Sequence, residues 1–109
     1  MNYETLISAH GKALKTEATD ALAELLHEEA TWESITASSL KKASRNRDET
    51  LEWFADQHWE SDLEYRCIID SEDVTVLTHK TPVGDIVLLV TEFTNGQIIK
   101  FTHARGPCN

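Results

Sequence analysis

His10 lies on the apolar stripe of a helical pattern formed by Tyr3, Leu6, Ile7, Ala13 and Leu14, and His103 lies in the strand-like run "QIIKFTHA", two residues beyond Phe101. A buried imidazole needs a hydrogen-bond partner, and burial favours its neutral form, in which one ring nitrogen donates and the other accepts. Such a group serves as a general acid or base, or stays a satisfied core side chain; the residue type alone leaves both open. His79 ends another strand-like run and joins the pair if the turn "TPVG" keeps it in phase, since a slip of one residue would send it outward. His27 and His58 sit at helix ends, where solvation or capping is expected. No two histidines stand four apart and neither Cys67 nor Cys108 lies in a CxxC spacing, so neither a metal nor a cofactor is expected.

The stretch "LHEEATWES" supplies two further candidates. Alternation through "ATWESI" puts Trp32 and Ser34 on one face, toward the interior, and leaves Glu28, Glu29 and Glu33 to water. Nothing around Ser34 resembles a strained nucleophile turn or a triad, so its expected role is to hydrogen-bond rather than to attack. Asn95-Gly96 is the strongest turn signal in the chain, a two-residue hairpin. Counting outward from it pairs Glu92 with Ile99, Val90 with Phe101 and Leu88 with His103, all on one face. Leu88, Val90, Glu92, Phe101 and Trp32 are therefore the candidate ligand-binding residues. Glu92 is the carboxylate placed to orient the His103 imidazole, and Arg105 extends the same face. The opposite face, from Val87 through Phe93 and from Ile98 through Ala104, is also substantially apolar. A sheet wetted on one side would alternate more cleanly, so both faces are expected to be covered, one by helices and the other by a second copy in a homodimer.

These side chains need a scaffold. The periodicity predicts a helix over 3–16, a short second helix capped near 19–20, and a third over 48–59 opened by Asp48. A short strand over 30–35 precedes a polar loop, "TASSLKKASRNRD", with a partial helical turn. Strands over 62–70, 74–80, 85–93 and 97–104 form an antiparallel meander. Helices first and strands later give an α+β domain with helices on one sheet face, and 109 residues suffice for a single domain, 1–109. The net charge of −9 opposes binding to nucleic acid or to an anionic membrane. No run approaches the roughly 18 apolar residues of a membrane span. The start "MNYETLISAHGKALK" lacks the basic-then-apolar order of a signal peptide, and two unpaired thiols suit a cytoplasmic protein.

The element order, the acidic "HEEATW" turn and the last hairpin "NGQIIKFTHARG" resemble the nuclear transport factor two-like superfamily, closest in style to SnoaL-like domains. The resemblance spans essentially the whole chain. It implies a cone in which a strongly curved antiparallel sheet wraps the N-terminal helices, a pocket opening between them, and dimerisation through the convex sheet face. The superfamily includes ketosteroid isomerases, polyketide cyclases, epoxide hydrolases and dehydratases, so fold alone does not choose among reactions. A gapless match of "HGKALKTEATDALAELLHEEATWES" to ketosteroid isomerase places Ser34 where that enzyme has its general-base Asp and His10 where it has an oxyanion-holding Tyr. Its second oxyanion donor, a protonated Asp, falls near Leu88 or Val90. Serine without a base cannot abstract a carbon-bound proton, and an apolar side chain cannot donate a hydrogen bond, so steroid isomerisation is not expected. The expectation is a domain that binds a small, mostly apolar molecule. Its chemistry would be of isomerase, cyclase or dehydratase type, with His10 or His103 as acid or base and Ser34 as hydrogen-bonding partner. The alternative is a non-catalytic dimerisation or ligand-binding module.

Overall fold

Leu6, Ala9, His10, Ala13 and Leu14 are all buried, the i, i+3, i+4, i+7 stripe that turns one side of helix α1 (Tyr3–Thr16) to the core. Glu4 in its first turn and Lys15 in its last complement the helix dipole. The structure is a computed structural model that describes residues 3–16, 19–35, 40–42, 44–56, 63–81 and 83–106. His58, Trp59 and Cys108 lie outside these residues. After α1 come α2 (Asp20–Leu25), β1 (Leu26–Ile35), β2 (Leu40–Lys42), α3 (Arg47–Ala55), β3 (Arg66–Asp70), β4 (Val74–Lys80), β5 (Ile86–Thr94) and β6 (Gln97–Gly106). Helices pack on one face of a six-stranded sheet of order β2-β1-β6-β5-β4-β3.

The fold class is α+β as expected, but the sheet is mixed rather than antiparallel. β1 runs parallel to β6, pairing Trp32 with Phe101 and Ser34 with His103. The meander accounts only for β3 to β6; β1 returns from the far end of the sequence, and no local turn fixes its direction. β1 also starts at Leu26, within the segment that reads as helix. The backbone turns extended there (φ −85°, ψ 134°), and the pairing with β6 is irregular between Leu26 and Thr31. The polar loop contains the short edge strand β2, antiparallel to β1. Helix α3 begins one residue before Asp48 because the Asn46 side chain caps it, accepting from the Glu49 N–H at 3.0 Å.

The last hairpin shows how one residue changes a face. Asn95 (φ 49°) and Gly96 (φ 77°) make the expected two-residue turn, with both in the left-handed region that such a turn needs. Thr94 pairs with Gln97 and Phe93 with Ile98, but Glu92 then pairs with Lys100. Ile99 is the extra residue of a β-bulge. Beyond it Thr91 lies opposite Phe101 and Leu89 opposite His103, while Leu88 meets Ala104 and Val90 meets Thr102. Leu88, Val90 and Glu92 therefore belong to the face opposite Phe101 and His103, which corrects the expected ligand-binding set. Burial agrees: Leu89 is 1% exposed and Leu88 38%. Further irregularities in β1 and β3 add to the bend of the sheet. The core lies in its hollow, where Leu77, Leu89, Ile98 and Phe101 meet Leu6, Leu14, Leu22 and Phe54.

Candidate functional site

The inner face of the sheet carries Trp32 and Ser34 on β1, Phe101 and His103 on β6, and His79 on β4, all set by strand phase. Helix α1 contributes His10 from above. Helix α3 contributes Trp53 and Phe54, and the segment ahead of β3 contributes Tyr65. The result is a continuous cluster of rings. His10 lies 5.5 Å from Phe54, 5.7 Å from both Tyr65 and His79, and 6.2 Å from Phe101, centroid to centroid. Trp32 and Trp53 stack at 4.1 Å, and His103 lies 5.1 Å from Trp32.

Burial governs the electrostatics. It is the main cause that pushes His10 down to about 3, with the His79 and His103 rings adding to it. His103 falls to about 4, mainly through burial and then through His79 and Arg105. Burial lowers His79 as well, opposed by the Lys80 carbonyl 3.3 Å from its Nδ1. Burial, with Tyr3 adding, pushes the Tyr65 hydroxyl upward, so Tyr65 keeps its proton. His10 Nδ1 and the Tyr65 hydroxyl lie 2.6 Å apart, a hydrogen bond between two neutral groups whose direction depends on the histidine tautomer. His103 is half-buried; its Nδ1 is buried and has no hydrogen-bond partner among the described residues.

A hydroxyl chain fixes the tryptophan pair. The Trp32 backbone N–H donates to Ser44 Oγ at 2.7 Å, the Ser44 hydroxyl meets Thr50 Oγ1 at 2.7 Å, and Thr50 donates toward the carbonyls of Ala30 (3.0 Å) and Asn46 (2.9 Å). Ser44 and Thr50 are fully buried, so these bonds tie α3 to β1 and hold Trp53 over Trp32. A depression of about 330 Å³ reaches the cluster from outside, with Tyr65 and His79 on its inner side and Arg66, Thr78 and Lys80 around it.

His10, His103, Ser34, Trp32 and Phe101 thus share the interior, and His79 joins them. Leu88, Val90 and Glu92 do not. Arg105 pairs with Asp85 at 2.9 Å rather than with Glu92. Glu33 meets Lys100 at 3.2 Å. His27 accepts from the Glu29 N–H at 3.0 Å, a local backbone role. Tyr65 and Trp53 are more central than their sequence surroundings suggest. The only signal for Tyr65 is its alternation with Arg66, which is exposed. Among the described residues, no three His, Cys, Asp or Glu side chains are placed to hold a metal ion.

No protein-family model matches the chain, and no curated protein matches it in sequence. Solved structures do match in shape. An NTF2-like protein of unknown function from Burkholderia xenovorans superposes with a TM-score of 0.72 at 16% identity, over 97% of this chain and 83% of the other. A provisionally assigned isomerase from Rhodopseudomonas palustris gives 0.71 at 13% identity, over 95% and 88%. A provisionally assigned ketosteroid isomerase from Kribbella flavida gives 0.70 at 14% identity, over 99% and 82%. The fold is that of the nuclear transport factor two-like proteins. At these identities the likeness carries the nuclear transport factor two-like cone and no reaction. On this fold the chain places three imidazoles, His10, His79 and His103, among the rings of the interior.

Proposed function

We propose that the chain binds a small, mostly apolar molecule inside the nuclear transport factor two-like cone and moves a proton on it, in chemistry of isomerase, cyclase or dehydratase type. One observation carries this reading: three neutral histidines gather among aromatic rings on the inner face of the sheet, and His10 is already hydrogen-bonded to Tyr65. A neutral imidazole in a dry site accepts a proton from an activated carbon acid without first losing one of its own. In this reading His103, half-buried and with a free nitrogen, is the base. The His10–Tyr65 pair stabilises charge that develops on the substrate oxygen, and Ser34, the register partner of His103, orients the ligand by hydrogen bonding. The likeness to provisionally assigned isomerases supports the reaction class at the level of analogy. A screen of apolar ketones tests both halves: thermal stabilisation reports binding, and deuterium uptake from D2O at the α-carbon reports proton transfer. Stabilisation without exchange by any ketone would remove the catalytic half and leave a binding module.

The same reading includes a homodimer through the outer sheet face. Leu88 is 38% exposed and Ile35 47% there, flanked by half-buried Val76, Val90 and Ala104. Light scattering on the purified chain tests it, with Leu88→Lys shifting the mass toward the monomer. Among the described residues no helix is long and apolar enough to cross a membrane. The exposed free thiol of Cys67 supports a reducing, cytoplasmic setting. The rival reading, a non-catalytic dimerisation module, draws on the Trp32–Trp53 stack, which fills part of the interior with the protein's own side chains.

A further inference from the structure

Arg66 and Lys80 stand on the same side of neighbouring strands without an anionic partner. Arg66 faces Thr78 in the β3–β4 register, Lys80 follows Thr78 by two residues, and Lys80 in turn faces Ile86 on β5. Strand phase turns all four to the outer side of the sheet, where Leu88 lies opposite Thr78. The two cations are diagonal neighbours, roughly 7–8 Å apart at the backbone, and like charges so placed repel. Elsewhere a carboxylate relieves such charge: Arg45 meets Glu49, Lys100 meets Glu33 and Arg105 meets Asp85. Neither Arg66 nor Lys80 has a carboxylate of this kind among the described residues, although the chain has a net charge of −9. Both line the depression of about 330 Å³ at this end of the sheet, together with Glu64, Tyr65, Thr78, His79 and Ile86. The Tyr65 hydroxyl is already bound to His10 at 2.6 Å, so Tyr65 adds ring surface rather than a free donor, and half-buried Ile86 adds to that apolar wall.

We infer that this depression binds a small monocarboxylate with a compact apolar body, its carboxylate held between Arg66 and Lys80 and within reach of the Thr78 hydroxyl. The two cations set the sign of the ligand. Glu64, exposed in the same wall, cuts the local excess to a single positive charge, which suits a monoanion and opposes a dianion such as phosphate. Arg66 brings a planar fork that a carboxylate meets with two parallel hydrogen bonds. The volume stands near the lower end of small-molecule sites, about 300–1,000 Å³, which keeps the apolar body compact. The site goes beyond the interior reading and does not rest on it. It occupies the outer side of the sheet, at the β3 border of the surface proposed for the homodimer.

Benzoate and benzamide are near-isosteres that differ in charge. Titration calorimetry of the full chain at neutral pH should show benzoate binding about tenfold more tightly, the combined effect of two exposed ion pairs. Arg66→Gln and Lys80→Gln should each weaken benzoate about threefold and leave benzamide unchanged. Glu64→Gln should do the reverse and tighten benzoate about twofold. Raising the salt concentration from about 0.05 to about 0.5 M should erase most of the preference. Amide resonances of residues 64–66, 78–80 and 86 should move on addition of benzoate, a readout that needs no variant. Equal affinities for benzoate and benzamide, failure of benzoate to bind, or a preference that survives the double substitution Arg66→Gln, Lys80→Gln overturns the inference. Tighter binding of inorganic phosphate than of benzoate overturns the monoanionic class, and resonance shifts confined to other residues overturn the location. The interior reading stands or falls separately, because uncharged ketones test it.

Discussion

The Tyr65 hydroxyl and His10 Nδ1 meet at 2.6 Å, joining the segment ahead of β3 to the middle of α1 across the edge of the interior. The bond satisfies the most deeply buried imidazole of the protein's ring cluster. Tyr65→Phe keeps the ring and removes the partner. Urea denaturation should show a loss of about 1–3 kcal/mol, the cost of stranding a buried polar atom. A loss below about 0.5 kcal/mol would mean that His10 finds another partner at no cost.

Gly11 is the next residue on α1, and the same contact makes it informative. A Cβ built there would lie 3.5 Å from the Tyr65 hydroxyl, an ordinary contact that displaces nothing. Gly11→Ala should therefore stabilise the protein by roughly 0.5–1 kcal/mol through helix propensity alone. Thermal unfolding checks the sign.

His10 at about 3 and His103 at about 4 both lie below the value of about 6.5 that an unfolded chain presents. His79 is displaced in the same direction. Between these limits the unfolded state binds more protons than the folded one. Stability is thus complete above pH 6.5 and falls as pH drops toward 4 and then 3. Each fully displaced histidine contributes a slope of about 1.4 kcal/mol per pH unit in that window. Denaturation midpoints measured from pH 8 to pH 4 should fall on the acid side, and His10→Phe should flatten the decline.

Leu88 and Leu89 are adjacent and chemically identical, yet the bulge puts them on opposite faces. Leu89→Ala should cost about 2–5 kcal/mol as a core truncation. Leu88→Ala should cost well under half of that in the unassociated chain. A larger loss at Leu88 than at Leu89 would show the strand in the other phase.

The contrast between these two leucines also marks where sequence reading stops. The first helix is legible because Leu6, Ile7, His10, Ala13 and Leu14 repeat at a helical period, and the hairpin because Asn-Gly tolerates positive φ. Period groups Trp32 with Ser34 and Phe101 with His103 and puts His10 on the buried stripe of α1, and the structure turns these residues toward one interior. The misplacement of Leu88, Val90 and Glu92 has one cause: Ile98 and Ile99 are both apolar, and nothing in their identity says that one of them is an extra residue. The parallel pairing of β1 was hidden for a different reason, since it joins residues far apart in the chain with no local turn to announce it. Tyr65 and Trp53 carry no signal of their own in the sequence, because an aromatic side chain packs equally well in any core, and only the fold brings them to the imidazoles.

The bulge at Ile99 has a bearing on how the interior is assembled. With Leu89 and Thr91 kept inward, the β5–β6 hairpin has two phases open to it: a regular ladder would present Lys100 inward, and the bulged one presents Phe101 and His103. Both phases keep the Asn95-Gly96 turn. The choice between them therefore falls to β1, which locks against β6 through Trp32–Phe101 and Ser34–His103 only after the chain has closed its costliest loop. The residues credited here with chemistry reach the hollow by courtesy of a partner strand from the opposite end of the polypeptide.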